Sequence, residues 1–150
     1  MKEVLQRKLD DVNKDIEKID KMEQNYIGGE IVNGARHDVY MQDLHKVFSA
    51  TETSRNKEFN ENQKAREDQF HQLNAQPSST DLANHHAQAM RRQSSHNVER
   101  QHEAAQFETT RREWEDAHRG QKIARLLAHQ DMISAHRQPC LATYLHQGRQ

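Results

Sequence analysis

Apolar residues repeat at alternating spacings of four and three near the start of the chain. The repeat comprises Leu5, Leu9, Val12, Ile16 and Ile19 and continues, with Glu23 in one polar slot, to Tyr26. This spacing is the seam of a coiled coil and predicts a helix over residues 1–27. Two apolar residues per heptad make a narrow stripe, so we expect its partner to be another helix. In a parallel, in-register pair of copies Asp15 would face Asp20, a like-charge contact. The pattern therefore favours an antiparallel or intramolecular partner.

Glycines interrupt this pattern after residue 27. Gly28-Gly29 and Asn33-Gly34 are both typical turn sequences. They predict a connection over residues 28–36. The stretch lacks the Lys-Ser/Thr that a phosphate-binding P-loop requires. A helix–helix connection is thus the better interpretation.

Phenylalanines mark the second predicted helix, over residues 37–76. Phe48, Phe59 and Phe70 are eleven residues apart, which is close to three helical turns. They therefore stay in line along one side of a helix. Few other apolar residues lie between them, so this helix is either thinly packed or ordered only against a partner.

Pro77 is expected to end the second helix. The pattern Ser78-x-x-Asp81 that follows resembles a capping box for the next helix. We predict a third long helix over residues 77–138, with a possible bend at Gly120. Residues 139–150 are interpreted as a docking segment or a tail.

The composition limits how large a core the chain can form. Leu, Ile, Val and Phe are 25 of the 150 residues, about 17%. Because the net charge is only −1, long helices with narrow apolar stripes explain this composition better than a compact core. The predicted fold is all-α, with three to four helices in an elongated coiled-coil hairpin or an open helical bundle that another chain completes.

Charge is distributed unevenly between the two halves. Residues 1–70 contain 12 basic and 15 acidic residues, and residues 71–150 contain 10 and 8. The second half is also richer in arginine, which leaves nucleic-acid binding as an alternative function. Interspersed acids such as Glu99 and Glu108 favour a solvated, salt-bridged surface instead.

Histidines form a second stripe in the third predicted helix, beside Phe107 and Trp114. The stripe contains His85, His96, His118, His129 and His136. Four of these histidines and Phe107 recur at intervals of eleven. The stripe is either a chance feature of a histidine-rich segment or a second helix–helix contact. In the latter case, we expect protonation below about pH 6.5 to loosen the contact.

Metal and catalytic sites are not expected. Glu99 with His102 and Glu115 with His118 match the Glu-x-x-His of helical di-iron proteins. The two pairs are sixteen residues apart, about 24 Å along one helix, so they cannot share a metal centre. The single cysteine, Cys140, excludes an intrachain disulfide. No cofactor, nucleophile motif or Gly-rich strand–helix loop is indicated.

The sequence is thus interpreted as a non-enzymatic helical interaction or assembly protein. We expect it to be a structural or adaptor component of a larger complex that forms homo- or hetero-oligomers. Its expected location is soluble and intracellular, or within an assembly, since neither a membrane span nor a signal peptide is visible. The expected interface comprises the first seam, Phe48, Phe59, Phe70, Phe107, Trp114, Leu126 and Leu127.

Overall fold

Two long α-helices make up the chain in the computed structural model. The structure describes the backbone of residues 1–147 and the side chains of residues 1–137. Helix α1 is Lys2–Leu73, helix α2 is Ser79–Gln147, and no strand occurs in this range. The all-α prediction and the hairpin of long helices are confirmed, whereas the prediction of three to four helices is wrong.

The predicted connection over residues 28–36 is part of α1. No glycine among the described residues has a positive φ, so Gly28, Gly29 and Gly34 are ordinary helical residues. Each costs about 1 kcal/mol relative to alanine. Extending an existing helix requires no new nucleation, and long tracts on both sides offset this cost. The turn signals were therefore overridden by the helix around them.

The end of α1 lies close to Pro77, the residue expected to end the predicted second helix. α1 ends at Leu73, and both the backbone and side-chain N–H groups of Asn74 donate to the carbonyl of Phe70, at 3.0 and 3.1 Å. The predicted capping box also forms. The N–H of Asp81 donates to Ser78 Oγ at 3.1 Å, and the N–H of Ser78 donates to Asp81 Oδ2 at 3.2 Å. Ser78 therefore fixes where α2 begins.

α2 extends further than predicted. It passes through Gly120 without interruption and continues to Gln147, so residues 139–147 are helical rather than a separate tail. The side chains of this proposed docking segment lie outside the described residues.

The chain forms two compact units. Unit 1 is Met1–Val39 with Glu115–Gln150, and unit 2 is Tyr40–Trp114. Unit 2 contains the turn between the helices. Within each unit, a segment of α1 packs against an antiparallel segment of α2. The contact is thin, because Ile133 is the only buried hydrophobic residue in the described part of the chain.

Candidate functional site

Stacked rings join α1 to α2 in both units. The ring centroids are 3.8–4.2 Å apart and the planes differ by 6–14°. Unit 1 contains the stacks Tyr26–His129 and His37–His118, and unit 2 contains Phe48–Phe107, Phe59–His96 and Phe70–His85. In each helix the rings are eleven residues apart. Their spacing sets the register of the two helices within each unit.

Polar side chains one turn before two of the α1 rings bind the histidines of unit 2. Glu67 Oε2 lies 2.6 Å from Nε2 of His85, and Asn56 Oδ1 lies 2.8 Å from Nε2 of His96. In unit 1 the corresponding residue is Gly34 at the His37–His118 stack and Glu23 at the Tyr26–His129 stack. Nothing lies within 4 Å of where the Cβ of Gly34 would be. Gly34 therefore offers His118 no side-chain partner.

His118 lies in an environment that disfavours its charged form. Burial lowers the pKa of His118, and the neighbouring His37, Arg125 and Lys122 add to this effect, opposed by Glu30. The neutral form is favoured there.

At the other end of the stripe, the hydrogen bond with His85 lowers the pKa of the Glu67 carboxyl. The hypothesis that protonation loosens the stripe has its physical basis at His118.

Salt bridges between the helices complement the ring stacks. In unit 1, Arg125 Nε lies 2.6 Å from Glu30 Oε1, and this pair lowers the pKa of Glu30 and raises that of Arg125. In unit 2, Arg100 binds Glu52 across the helices at 3.0 Å. Arg100 also binds Glu103 on its own helix at 2.9 Å, and Glu103 also pairs with Arg55.

The residues of the predicted interface fall into two groups. All four phenylalanines are half-buried in the ring stacks, and Val12 and Ile19 are half-buried as well. The other predicted residues are exposed, namely Leu5, Leu9, Ile16, Trp114, Leu126 and Leu127. His136 lies 3.9 Å from Asp15 across the helices of unit 1. Within one chain, therefore, only part of the predicted interface is covered.

The exposed leucines and isoleucines of unit 1 share one side of it, which we call the apolar flank. On both helices this side comprises the positions three before, one after and five after each ring position. The ring positions are counted on at intervals of eleven past the last ring, to residues 15 and 4 in α1 and to residue 140 in α2. The apolar flank consists of Leu5, Leu9, Ile16, Ile27 and Ile31 on α1 and Ile123 and Leu126 on α2. Glu23 of α1 and Arg137 of α2 occupy two further positions on this side. Their side chains are 3.7 Å apart, as expected if the two helices present this side next to each other.

The same positions of α1 are polar in unit 2. They hold His45, Ser49, Thr53, Asn56, Asn60, Lys64, Glu67 and His71. The ring series continues at the same spacing into unit 2, but the leucines and isoleucines of α1 beside it stop after Ile31. On α2, the same positions of unit 2 include the exposed residues Leu82 and Met90. The α1 side of the apolar flank is therefore a local property of unit 1 and not a general consequence of the repeat.

Sequence reasoning assigned Tyr26 to the first seam and not to the ring series, and it missed His37 and the pairing of the series. Tyr26 and His37 continue the phenylalanine spacing toward the N-terminus. The predicted connection over residues 28–36 hid this continuity. The residue numbers of every stacked pair add up to the same value, as they do in two antiparallel helices without a shift in register. The sequence therefore already contained the signal for the pairing.

Other kinds of site leave little trace in the described residues. No group of three or more His, Cys, Asp or Glu side chains is placed to hold a metal ion there. In the same range, neither helix contains an apolar stretch that could cross a membrane. No protein-family model, curated protein or solved structure matches this chain.

Proposed function

We propose that this chain is a non-enzymatic helical assembly protein that binds a protein partner through the apolar flank of unit 1. The observation that carries the proposal is the exposure of Ile27 and Ile31, 57% and 68%, beside a helix–helix contact made of rings and salt bridges. The helices are held together without these side chains. Their exposure therefore leaves apolar surface available to a partner.

The size of the flank supports a specific contact. Burying a Leu or Ile side chain contributes ~1.5–3 kcal/mol, and each Å² of apolar surface contributes ~25 cal/mol. The apolar surface of one such side chain is therefore roughly 60–120 Å². The seven side chains of the flank are 40–68% exposed. Together they present roughly 250–450 Å² of apolar surface, in the range of the largest patch on a typical monomer.

Site-specific photocrosslinking in the native cell tests this proposal. A benzophenone side chain would replace Ile27 in one variant and Val47 in the control. Val47 is similarly exposed, at 66%, but lies in unit 2 and away from the flank positions. We expect discrete protein crosslinks from position 27 and much weaker ones from position 47. Equal or absent crosslinks would contradict the proposal.

Nucleic-acid binding by the Arg-rich second half is the alternative. Arg111 and Arg112 both bind Glu108, and the hydrogen bond from Arg111 is the main reason why the pKa of this carboxyl is lowered to about 2. The charged carboxylate offsets part of their positive charge. If nucleic acid were the partner, binding would weaken steeply between about 50 and 200 mM salt. A contact through leucines and isoleucines would change little.

A further inference from the structure

We infer that a second copy of this chain covers the apolar flank of unit 1, with α1 of one copy over α2 of the other. The inference rests on the proposed function and names its partner. A standard interface buries about 800 Å² on each side, of which about 60% is apolar. The flank supplies most of that apolar area before any neighbouring side chain is counted.

Charges on the flank favour self-pairing. On the α1 side the flank positions of unit 1 hold three acids, Asp20, Glu23 and Asp38, and no base. On the α2 side they hold Arg119 and Arg137. Glu115 is a third charged residue on that side and already has an interaction of its own. An acidic edge and a basic edge on one face complement each other when two copies meet face to face.

A two-fold axis parallel to the helices produces this arrangement. It places α1 over α2 of the partner copy at the same levels at which they pair within one chain. Asp20 lies six residues before Tyr26, and Arg137 lies eight residues after His129, the ring that stacks on Tyr26. Asp20 and Arg137 are then offset by two residues, about 3 Å along the axis.

Asp38 and Arg119 have the same offset. Each lies one residue after a ring of the His37–His118 stack, in helices of opposite direction. Glu115 is displaced from the level of Asp38 by the same two residues in the other direction, so both charges lie near Asp38. In the single chain no ion pair is found for Asp38 or Asp20 among the described residues. Arg119 reaches only Asp116, at 3.8 Å, with 71% of its side chain exposed. A single alignment of the two copies would therefore place a basic residue beside both Asp20 and Asp38.

Sedimentation of the purified full-length chain over a range of concentrations tests the inference. We expect a reversible dimer whose dissociation constant increases about 100-fold or more in the double variant Ile27→Glu/Ile31→Glu, because each substitution acts twice across a two-fold interface. The control Val47→Glu should leave the dimer intact. Circular dichroism of each variant confirms that the helices are retained.

A charge exchange provides a second test that removes no apolar surface. Asp38→Arg should weaken the dimer, and adding Arg119→Asp should restore it. A chain that stays monomeric, a dimer that tolerates both glutamates, or a charge exchange without restoration would overturn the inference. A monomeric chain whose position 27 crosslinks to another protein would overturn the second copy but leave the proposed function standing.

Discussion

Replacing Gly28 and Gly29 with alanine is expected to stabilise the protein. Both glycines lie inside α1 with negative φ, and nothing lies within 4 Å of the position of an added Cβ. Each substitution should therefore recover the full difference in helix propensity, about 0.8–1 kcal/mol. The double variant should gain about 1.6–2 kcal/mol.

This gain is large enough to measure by thermal unfolding. For a chain of this size, 1 kcal/mol shifts the Tm by about 2–4 °C, so the double variant should unfold about 3–8 °C higher. Ala35→Gly is the matched control, because Ala35 is exposed in the same part of α1. It should lower the Tm by about 2–4 °C.

The opposite result for the alanine variant would refute the reasoning. If Gly28 and Gly29 formed a turn with positive φ, alanine would be strained there, and the protein would lose stability by more than the gain expected for a helix. An increase in Tm from both glycine substitutions is compatible only with a helix that continues through them.

Three further predictions concern the ring stacks and the cap. Because the pKa of His118 is lowered in the folded state, the unfolded chain binds the proton first as the pH falls. The stability that neutral His118 contributes is therefore present above about pH 6.5 and is lost as the pH falls through the lower folded-state value. The variant His37→Phe/His118→Phe should show a smaller decrease in Tm between pH 7.5 and 5.5 than the unmodified chain, and an equal decrease would contradict this. Phe59→Ala removes a half-buried stacked ring and should cost about 1–3 kcal/mol in urea unfolding, whereas a cost below about 0.5 kcal/mol would mean that the ring does not stack. Ser78→Ala removes the cap of α2 and should cost about 1 kcal/mol, while Ser78→Gly should cost only a few tenths. Equal losses in the two Ser78 variants would argue against capping.

The sequence predicted local structure best where one signal acted alone. Pro77 and the capping box of Ser78 and Asp81 fix the break between α1 and α2, and no other local signal opposes them. At Gly28 and Gly29 two signals conflicted. Glycine in a helix costs about 1 kcal/mol per residue relative to alanine. This cost is smaller than the gain from continuing a helix that already extends before and after the glycines. Propensity alone could not weigh these two effects.

The pairing of the rings could be anticipated only in part. The spacing of eleven revealed each series within its own helix, including the phenylalanines and His85, His96, His118 and His129. Which ring of one series stacks on which ring of the other depends on the direction and register of the two helices. Both follow from where the turn lies. With a break predicted at residues 28–36, Tyr26 was assigned to the first seam and His37 to no series, and their partners could not be identified.

The apolar flank and the dimer inferred from it both depend on the register that the ring stacks set. Crosslinking of paired cysteines tests this register most directly. In a Cys140→Ser background, Phe59→Cys would be combined either with His96→Cys, its stacking partner, or with Phe107→Cys, which lies eleven residues further along α2. Eleven residues correspond to about 16 Å along the helix. A thiol crosslinker too short to bridge three helical turns should join 59 to 96 within one chain and leave 59 and 107 unjoined. Efficient joining of 59 to 107, or no joining of 59 to 96, would contradict the account.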